Sequence, residues 1–238
     1  MCRGPTGALV YAGGHAVTLD LLVTADEIRA MASNGLLFTK DPYDRERYER
    51  LLVLAAEMAS SASTLPAQAV LSAWRAESGY ITPKVGVAAA VHDAAGRLLL
   101  IHRRDNGLWA LPGGWADVGD TPAGAAMREV REETGLITRA ERLLGVYDGR
   151  LHGYSRLTHL YHLVFAATIV GGQLQASAEV QGAAFFAADA LPPLAPGHPT
   201  AIADAFAALA DPRRLASFDP PPDWTPDGAS SGHGLPPE

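Results

Sequence analysis

The sequence has one cysteine, a shortage of positive charge and no long apolar run. Because Cys2 is the only cysteine, no disulfide can form within the chain, and we expect a reducing, cytoplasmic setting. Asp and Glu number 26 against 19 Lys and Arg, a net charge of −7. An acidic chain is a poor general binder of DNA, because phosphate backbones select basic surfaces. No apolar stretch approaches the roughly 18 residues of a membrane span, so no membrane association is expected.

One segment, residues 111–135, carries the clearest chemical pattern. It opens with a glycine-rich turn, Leu-Pro-Gly-Gly-Trp-Ala-Asp-Val-Gly-Asp, and continues into a predicted helix. Thr121 is a good N-cap, Pro122 suits the first helical turn, and Gly135 is placed to end the helix. The turn and the helix are therefore predicted to form one unit.

Three glutamates of this helix, Glu129, Glu132 and Glu133, stand at positions i, i+3 and i+4 and share one face. Glu129 and Glu133 are like charges one turn apart, and the last turn of a helix favours cations. A divalent cation would remove both penalties, because hard cations bind carboxylate oxygens. The alternative is a solvated acidic face on which Arg128 pairs with Glu132.

The spacing decides between these interpretations. Gly114 is followed after five residues by Asp120, and after seven more by Arg-Glu-Val-Arg-Glu-Glu-Thr-Gly-Leu. This resembles the Nudix box, G-x5-E-x7-R-E-U-x-E-E-x-G-U with U aliphatic, at every fixed position except Asp120, where the family usually has Glu. The resemblance implies an α/β fold, a Nudix α/β/α sandwich with a mixed sheet, and a hydrolase.

A second resemblance narrows the family. Residues 34–48 and 79–85, with the Leu-Pro-Gly-Gly-Trp-Ala-Asp-Val-Gly turn, are similar to a Nudix subgroup that has a small helical N-terminal domain. That subgroup includes CDP-choline pyrophosphatases and enzymes acting on ADP-ribose-like compounds, and it is dimeric. The resemblance implies a homodimer, and it makes Asp120 less surprising because the subgroup is variable at that position.

The chain is predicted to have four parts: a loose arm (1–17), a helical domain (18–78), a Nudix domain (79–210) and a disordered Pro/Gly-rich tail (211–238). In the helical domain, Asn34-Gly35 predicts a helix end, Asp41-Pro42 predicts a helix start, and a third helix is expected at 67–74. These helices are too few to bury themselves well. We therefore expect their apolar face to form an interface, with Leu51, Leu52, Ala55 and Met58.

The second domain is predicted to begin with a hairpin, Val85–Val91 and Arg97–His102, around an Asp-Ala-Ala-Gly turn. The glutamate-bearing helix follows, and further strands are expected at 142–147, 157–169 and 182–186. A final helix is predicted at 200–210.

The resemblance also assigns the site. It implies that Mg²⁺ or Mn²⁺ is held by Glu129, Glu132, Glu133 and the carbonyl of Gly113, with Arg128 orienting a glutamate. The general base is either Glu132 or Glu179, which stands on a loop before the last strands. Asp120 is expected to support the helix start, where a carboxylate suits the dipole. Weaker candidates for substrate binding are Arg103, Trp109, Trp115 and Asp117.

The expected reaction is hydrolysis of the pyrophosphate bond in a nucleoside diphosphate linked to a second group X. The expected substrate is similar to CDP-choline or ADP-ribose. The products are a nucleoside monophosphate and X-phosphate. The alternatives are a non-catalytic nucleotide sensor or, among enzymes, a hydrolase of nucleoside triphosphates or RNA 5′ ends.

Overall fold

A computed structural model describes residues 20–154, 158–175 and 177–220, with the backbone of residues 9–10 and 16–17. Leu9–Val10 (β1) and Ala16–Val17 (β2) pair as antiparallel strands, and the rest of the predicted arm lies outside the described residues. The contacts divide the chain into two units. One contains Met1–Lys84 and Gly153–Leu160, and the other contains Val85–His152 and Tyr161–Glu238.

Three helices make up the first unit: Leu21–Phe38 (α1), Pro42–Ser61 (α2) and Ala67–Ala76 (α3). The Asp20 side chain accepts hydrogen bonds from two amides of the first turn of α1. Asp41 does the same for α2, and Pro42 follows it, as the sequence predicted. None of the helices in the described part of the chain is both long and apolar enough to cross a membrane.

The helical unit has an apolar core of its own, so the prediction that these helices bury little of themselves is wrong. α1 packs on α2, and α2 packs on α3. Alanines at the contacts let the helices approach closely, and Val70, Leu71 and Trp74 complete the core. Leu52 and Ala55, both predicted for an interface, are buried in this core, whereas Leu51 keeps 40% of its surface exposed.

The predicted helix end at Asn34-Gly35 is also wrong, because α1 continues to Phe38. The Asn34 side chain accepts a hydrogen bond from the Ile81 amide at 2.7 Å, so it binds another segment instead of capping its own helix. A Cβ on Gly35 would stand 2.6 Å from the Tyr48 ring, so glycine is needed here for packing. Both residues serve tertiary contacts that the local pattern does not reveal.

The second unit contains two sheets and two helices. The strands are Lys84–Val91 (β3), Leu98–Arg103 (β4), Trp109–Ala110 (β5), Gly113–Trp115 (β6), Leu136–Asp148 (β7), Leu160–Gly172 (β8), Val180–Phe186 (β9) and Ser217–Phe218 (β10). The helices are Pro122–Thr134 (α4) and His198–Ala210 (α5). One sheet has the order β10-β7-β8-β3-β6 and the other β5-β4-β9. Because β10 pairs parallel to β7 while β8 pairs antiparallel to β7 and β6 antiparallel to β3, the larger sheet is mixed. In the smaller sheet, β4 pairs antiparallel with both β5 and β9.

The helices lie on opposite sides of β3, whose side chains alternate between two cores. Ala88 and Ala90 pack with residues of α5. Val87 packs with residues of α4, and Ala89 and Val91 pack with Val130 of the same helix. The predicted α/β fold with a mixed sheet, preceded by a helical region, is confirmed.

The predicted hairpin is correct only at its turn. The Asp93 amide donates to the Arg97 carbonyl at 2.9 Å, and a single bridge joins His92 to Leu98. The two strands then separate, since β3 pairs in the larger sheet and β4 pairs with β5 and β9. Both strands are almost wholly buried, so their apolar runs do not indicate which neighbour each one takes.

The start of the predicted disordered tail is part of the fold, which corrects that prediction for residues 211–220. Ser217 and Phe218 pair with Gly145 and Val146, and the Asp219 carboxylate accepts hydrogen bonds from the Asp148 amide and from His152. The reason is that β7 would otherwise leave an unpaired strand edge. Residues 221–238 lie outside the described residues.

Candidate active site

The helix α4 begins and ends where the sequence predicted. The Thr121 hydroxyl accepts a hydrogen bond from the Gly124 amide at 3.1 Å, and Pro122 occupies the first turn. Gly135 ends the helix with φ +71°, a left-handed conformation that favours glycine. These caps fix the length of the helix and therefore the position of its glutamates.

Glu133 is the buried acid of the site. Its Oε2 accepts a hydrogen bond from the Gly113 amide at 2.9 Å, and the residue is 8% exposed. Burial raises the pKa of Glu133 to about 8, and the nearby charges of Glu129 and Glu179 act in the same direction. The hydrogen bond from Gly113 opposes the rise in pKa, so burial dominates.

The carbonyl of Gly113 faces the same side as its amide. Within a strand, the N–H and C=O of one residue point to the same side. β6 is at the edge of its sheet, and the Gly113 amide turns away from β3 to reach Glu133. The Gly113 carbonyl is therefore directed toward the side on which the Glu133 carboxylate lies.

Glu129 lies directly beneath the glycine turn. A Cβ on Gly114 would stand 2.7 Å from the Glu129 carboxyl carbon, so a side chain at this position would collide with that carboxyl group. Burial raises the pKa of Glu129; Arg128 opposes this rise, while Glu132 and Glu179 add to it. A side chain at position 114 would therefore displace the Glu129 carboxylate from its place beside the turn.

Arg128 connects the carboxylates around the turn. Its Nη1 donates to Glu129 at 2.8 Å and to Glu132 at 3.0 Å, and its Nε donates to Asp120 at 3.2 Å. Asp117 lies 3.4 Å away and is largely exposed. Burial lowers the pKa of Arg128, but the hydrogen bonds to Asp120, Glu132 and Glu129 and the charge of Glu129 raise it overall, so the side chain stays charged. Arg128 thus holds both the helix start and two of the predicted ligands.

Glu179 is brought to the same place by the loop before β9. The Ser177 amide donates to the Glu133 carbonyl at 3.3 Å, and the Glu179 amide donates to the Ser177 hydroxyl at 3.1 Å. Its charge contributes to the raised pKa values of both Glu129 and Glu133. Glu132, by contrast, is half exposed and held by Arg128.

The candidate substrate residues differ in their surroundings. Arg103 donates to both carboxylate oxygens of Asp105, at 3.0 and 2.7 Å, and its charge reaches Glu133. The Trp109 ring stacks on His102 at 4.9 Å and meets Phe186 edge-on, which is a packing role. Trp115 is half exposed at the glycine turn, next to Arg128, which donates to its carbonyl.

Two buried histidines next to the turn were not predicted as site residues. The His198 Nδ1 accepts a hydrogen bond from the Leu111 amide at 3.2 Å. The rings of His198 and His162 meet edge-on at 5.7 Å, and burial lowers the pKa of His162 to about 4 and that of His198 to about 3. The sequence gives no sign of this pair, because positions 162 and 198 are far apart in the chain and neither belongs to a motif.

The donor chemistry fits a hard divalent cation. Three carboxylates and one backbone carbonyl are oxygen ligands of the kind that Mg²⁺ and Mn²⁺ prefer. The raised pKa values of Glu133 and Glu129 reflect buried acids that a cation would stabilise in the charged form. As the side chains stand, the described residues include no group of three His, Cys, Asp or Glu that could hold a metal. Arg128 pairs with two of the acids, Glu129 and Glu132.

Comparison with known proteins identifies the class. The model of the NUDIX domain matches residues 82–205, and the model of the UDP-X-like, N-terminal oligomerisation domain matches residues 20–74. The chain therefore belongs to the Nudix family of hydrolases, in its form with an N-terminal oligomerisation domain.

Particular relatives agree. The chain is 39% identical over 201 residues to YjhB of Bacillus subtilis, which is provisionally named an ADP-ribose pyrophosphatase, covering 83% of this chain and 96% of that protein. It is 38% identical over 128 residues to an ADP-ribose pyrophosphatase of Methanocaldococcus jannaschii, covering 52% of this chain and 74% of the other. The crystal structure of a UDP-X diphosphatase is similar with a TM-score of 0.54 and 32% identity, covering 84% of this chain and 98% of that one.

Proposed function

We propose that this hydrolase depends on Mg²⁺ or Mn²⁺ and cuts the pyrophosphate bond of a nucleoside diphosphate linked to a second group. The products are then a nucleoside monophosphate and the phosphorylated second group. The observation that carries the proposal is the Glu133 carboxylate, which is buried against the Gly113 amide with Glu129 and Glu179 beside it. Of these acids Glu133 is buried and Glu129 is partly buried, and like charges so close together are unfavourable unless positive charge joins them.

The proposed ligands are Glu129, Glu132, Glu133 and the Gly113 carbonyl. A bound divalent cation neutralises phosphate charge and activates a water molecule. The residues of the chain hold the reacting groups: the turn at Gly113 and Gly114 lets the backbone approach closely, and Arg128 keeps the glutamates in place. Glu133, already fixed by a backbone hydrogen bond, is the most rigid of the proposed ligands.

Glu179 is the better supported general base. It must take a proton from the attacking water, so it needs a carboxylate near the cation that is not already engaged. Glu132 already accepts a hydrogen bond from Arg128, whereas the charge of Glu179 acts on both Glu129 and Glu133. We assign Glu179 as the base and Glu132 as a ligand.

The names of the relatives support the proposed substrate class. Proteins similar to this one over most of their length carry names for ADP-ribose and UDP-X hydrolysis. Together with the CDP-choline resemblance, this points to a nucleoside diphosphate whose second phosphate bears a sugar or an alcohol. Trp115 is the proposed contact for the nucleobase of the substrate, and Arg103 is the proposed contact for its phosphates. Asp117, which is largely exposed at the turn, is a further proposed substrate contact.

We also propose a homodimer formed through the helical unit. The match to an oligomerisation domain covers residues 20–74. After its own core is formed, α2 still exposes Tyr43, Leu51 and Leu54. Exposed apolar groups clustered on one element favour an interface, and most soluble oligomers are symmetric dimers.

The direct test is a substrate screen. Purified protein with Mg²⁺ or Mn²⁺ is assayed against ADP-ribose, CDP-choline, UDP-sugars, dinucleoside polyphosphates, nucleoside triphosphates and capped RNA, with Glu133→Gln as the inactive reference. We expect nucleoside monophosphate from one of the first three. Release of inorganic pyrophosphate from triphosphates would instead assign a triphosphatase, and nucleotide binding without turnover would assign a sensor.

A further inference from the structure

The backbone crosses between the two sheets at Leu111 and Pro112. β5 ends at Ala110 in the smaller sheet, and β6 begins at Gly113 in the larger one. Both crossing residues are fully buried, so their backbone polar groups need protein partners. The Pro112 carbonyl accepts from the Ala89 amide at 3.0 Å, and proline has no N–H. The Leu111 amide is therefore the only donor of the crossing.

That donor binds His198. The distance from the Leu111 amide nitrogen to His198 Nδ1 is 3.2 Å, and His198 is 4% exposed. A backbone amide can only donate, so Nδ1 is the acceptor and the ring is neutral, with its proton on Nε2. His198 is the first residue of α5 and follows Gly197, whose φ of +89° is a left-handed turn. The imidazole is thus held by the start of a helix.

A second histidine, His162 of β8, packs against His198 and contacts the strand next to the turn. Its ring meets that of His198 at 5.7 Å and 80°, and it makes a hydrogen bond with the backbone of Val87. Val87 is the register partner of Gly114, so the two histidines hold the chain on both sides of Gly113. Glu133 also holds this segment, because its carboxylate accepts a hydrogen bond from the Gly113 amide.

We propose that His198 is a positioning residue. It accepts a hydrogen bond from the Leu111 amide inside the buried crossing, and this bond fixes the backbone that presents the Gly113 carbonyl to the divalent cation. The part of this proposal that concerns the cation rests on the proposed function. The part that concerns the backbone does not. A residue that only fills space would be replaced by any side chain of similar size, whereas a positioning residue needs an acceptor at Nδ1.

The variants follow from that distinction. His198→Leu keeps most of the volume and removes the acceptor, whereas His198→Asn places an amide oxygen near the position of Nδ1. His92→Leu is the matched control, because His92 is a partly buried histidine of the same unit that packs edge-on against Phe206, away from the turn. Should His198→Leu fail to fold, His198→Met replaces it.

Hydrogen exchange of the Leu111 amide is measured by NMR on isotope-labelled, metal-free protein. We expect exchange about tenfold faster in His198→Leu, the size of one lost hydrogen bond, and near wild-type exchange in His198→Asn and His92→Leu. Equal exchange in the Leu and Asn variants would overturn the proposal. So would a wild-type Leu111 amide that exchanges as fast as an exposed loop amide.

The second measurement is the Mn²⁺ concentration for half-maximal activity, at saturating substrate. We expect this Mn²⁺ concentration to rise about tenfold in His198→Leu, while KM for substrate stays nearly unchanged. In His198→Asn the Mn²⁺ concentration should be close to the wild-type value. An unchanged requirement for Mn²⁺ with faster Leu111 exchange would overturn the link to the cation. If Glu133→Gln were fully active, the proposed function itself would fail, and the exchange data would still decide the role of His198.

Discussion

Glu133 and Gly113 stand 20 positions apart, and a hydrogen bond of 2.9 Å joins the carboxylate of one to the backbone amide of the other. This contact ties the end of α4 to the glycine turn, so the proposed ligand from the helix and the proposed ligand from the turn are held together. Much of what can be tested about the site concerns this acid and its neighbours.

Replacing Glu133 with Gln should lower kcat by roughly two to four orders of magnitude, as losses of transition-state charge stabilisation do. Gln keeps the shape and can still accept the Gly113 amide, but it removes an anionic ligand. Steady-state kinetics at saturating Mg²⁺ measure the effect. The control is Glu141→Gln, the same change on an exposed glutamate of β7 that binds Arg139, and it should leave kcat unaltered. Near-normal turnover of Glu133→Gln would remove the assignment.

The same variant should change the pH dependence of stability in metal-free protein. The pKa of Glu133 is raised from 4.5 to about 8 in the folded chain, so the folded state binds more protons between these pH values. Its stabilising contribution is full below pH 4.5 and is lost as pH rises through 8. We expect Glu133→Gln to be more stable than wild type at pH 9, by on the order of a few kcal/mol.

Urea unfolding in the presence of a chelator measures this difference at pH 6, 7.5 and 9. The gap between variant and wild type should widen steadily with pH. A constant gap across the series would mean that Glu133 titrates normally.

Replacing Asp120 with Asn should cost less than tenfold in kcat. In the structure Asp120 accepts from Arg128 Nε at 3.2 Å and stands at the start of α4, and Asn retains an acceptor there. Its role is to hold Arg128, which a neutral amide can partly replace. Kinetics beside Glu133→Gln give the comparison, and an equally large loss would make Asp120 a metal ligand.

The two candidate bases can be separated by their response to metal. Glu179→Gln should lower kcat by about two to four orders of magnitude at any metal concentration, because proton removal is lost. Glu132→Gln should chiefly raise the metal concentration required, with kcat recovering in excess Mn²⁺. The two variants titrated with Mn²⁺ side by side measure this, and the opposite result would assign the base to Glu132.

Replacing Leu51 with Glu should convert a dimer into a monomer, since a charge in an apolar contact has no compensating partner. Leu51 lines a shallow groove on α2 with Tyr43, Glu46, Arg47 and Arg50. Light scattering measures the mass. Leu209→Glu, a similarly exposed leucine of α5, is the control and should not alter it. A monomeric wild-type protein, or a Leu51→Glu dimer, would contradict this role of the helical unit.

The sequence predicted well where one local rule decides the outcome. The caps of α4 follow from Thr121 and Gly135, whose chemistry acts within one helical turn. It failed where a distant partner decides. The pair Asn34-Gly35 predicted a helix end, but the Asn34 side chain binds the Ile81 amide and Gly35 packs against the Tyr48 ring.

For the site, a long motif found the acids of α4, because spacing along a helix fixes which face they share. No motif contains the contact between His198 and Leu111, because it depends on how a helix and a strand connection from distant parts of the chain meet. The loop position of Glu179 suggested a general base, but the sequence does not show that its charge acts on Glu133, because that depends on the folded structure.

The parallel pairing of β10 with β7 has a consequence for the order of folding. Asp148 and Asp219, which join the two segments, stand 71 positions apart. A chain emerging from the ribosome thus holds β7 with a bare outer edge until residues 217–219 have been synthesised, and contacts between such distant positions form slowly. During that interval the edge can pair with another nascent chain, so we expect the yield of native protein to depend on synthesis rate and on chaperones.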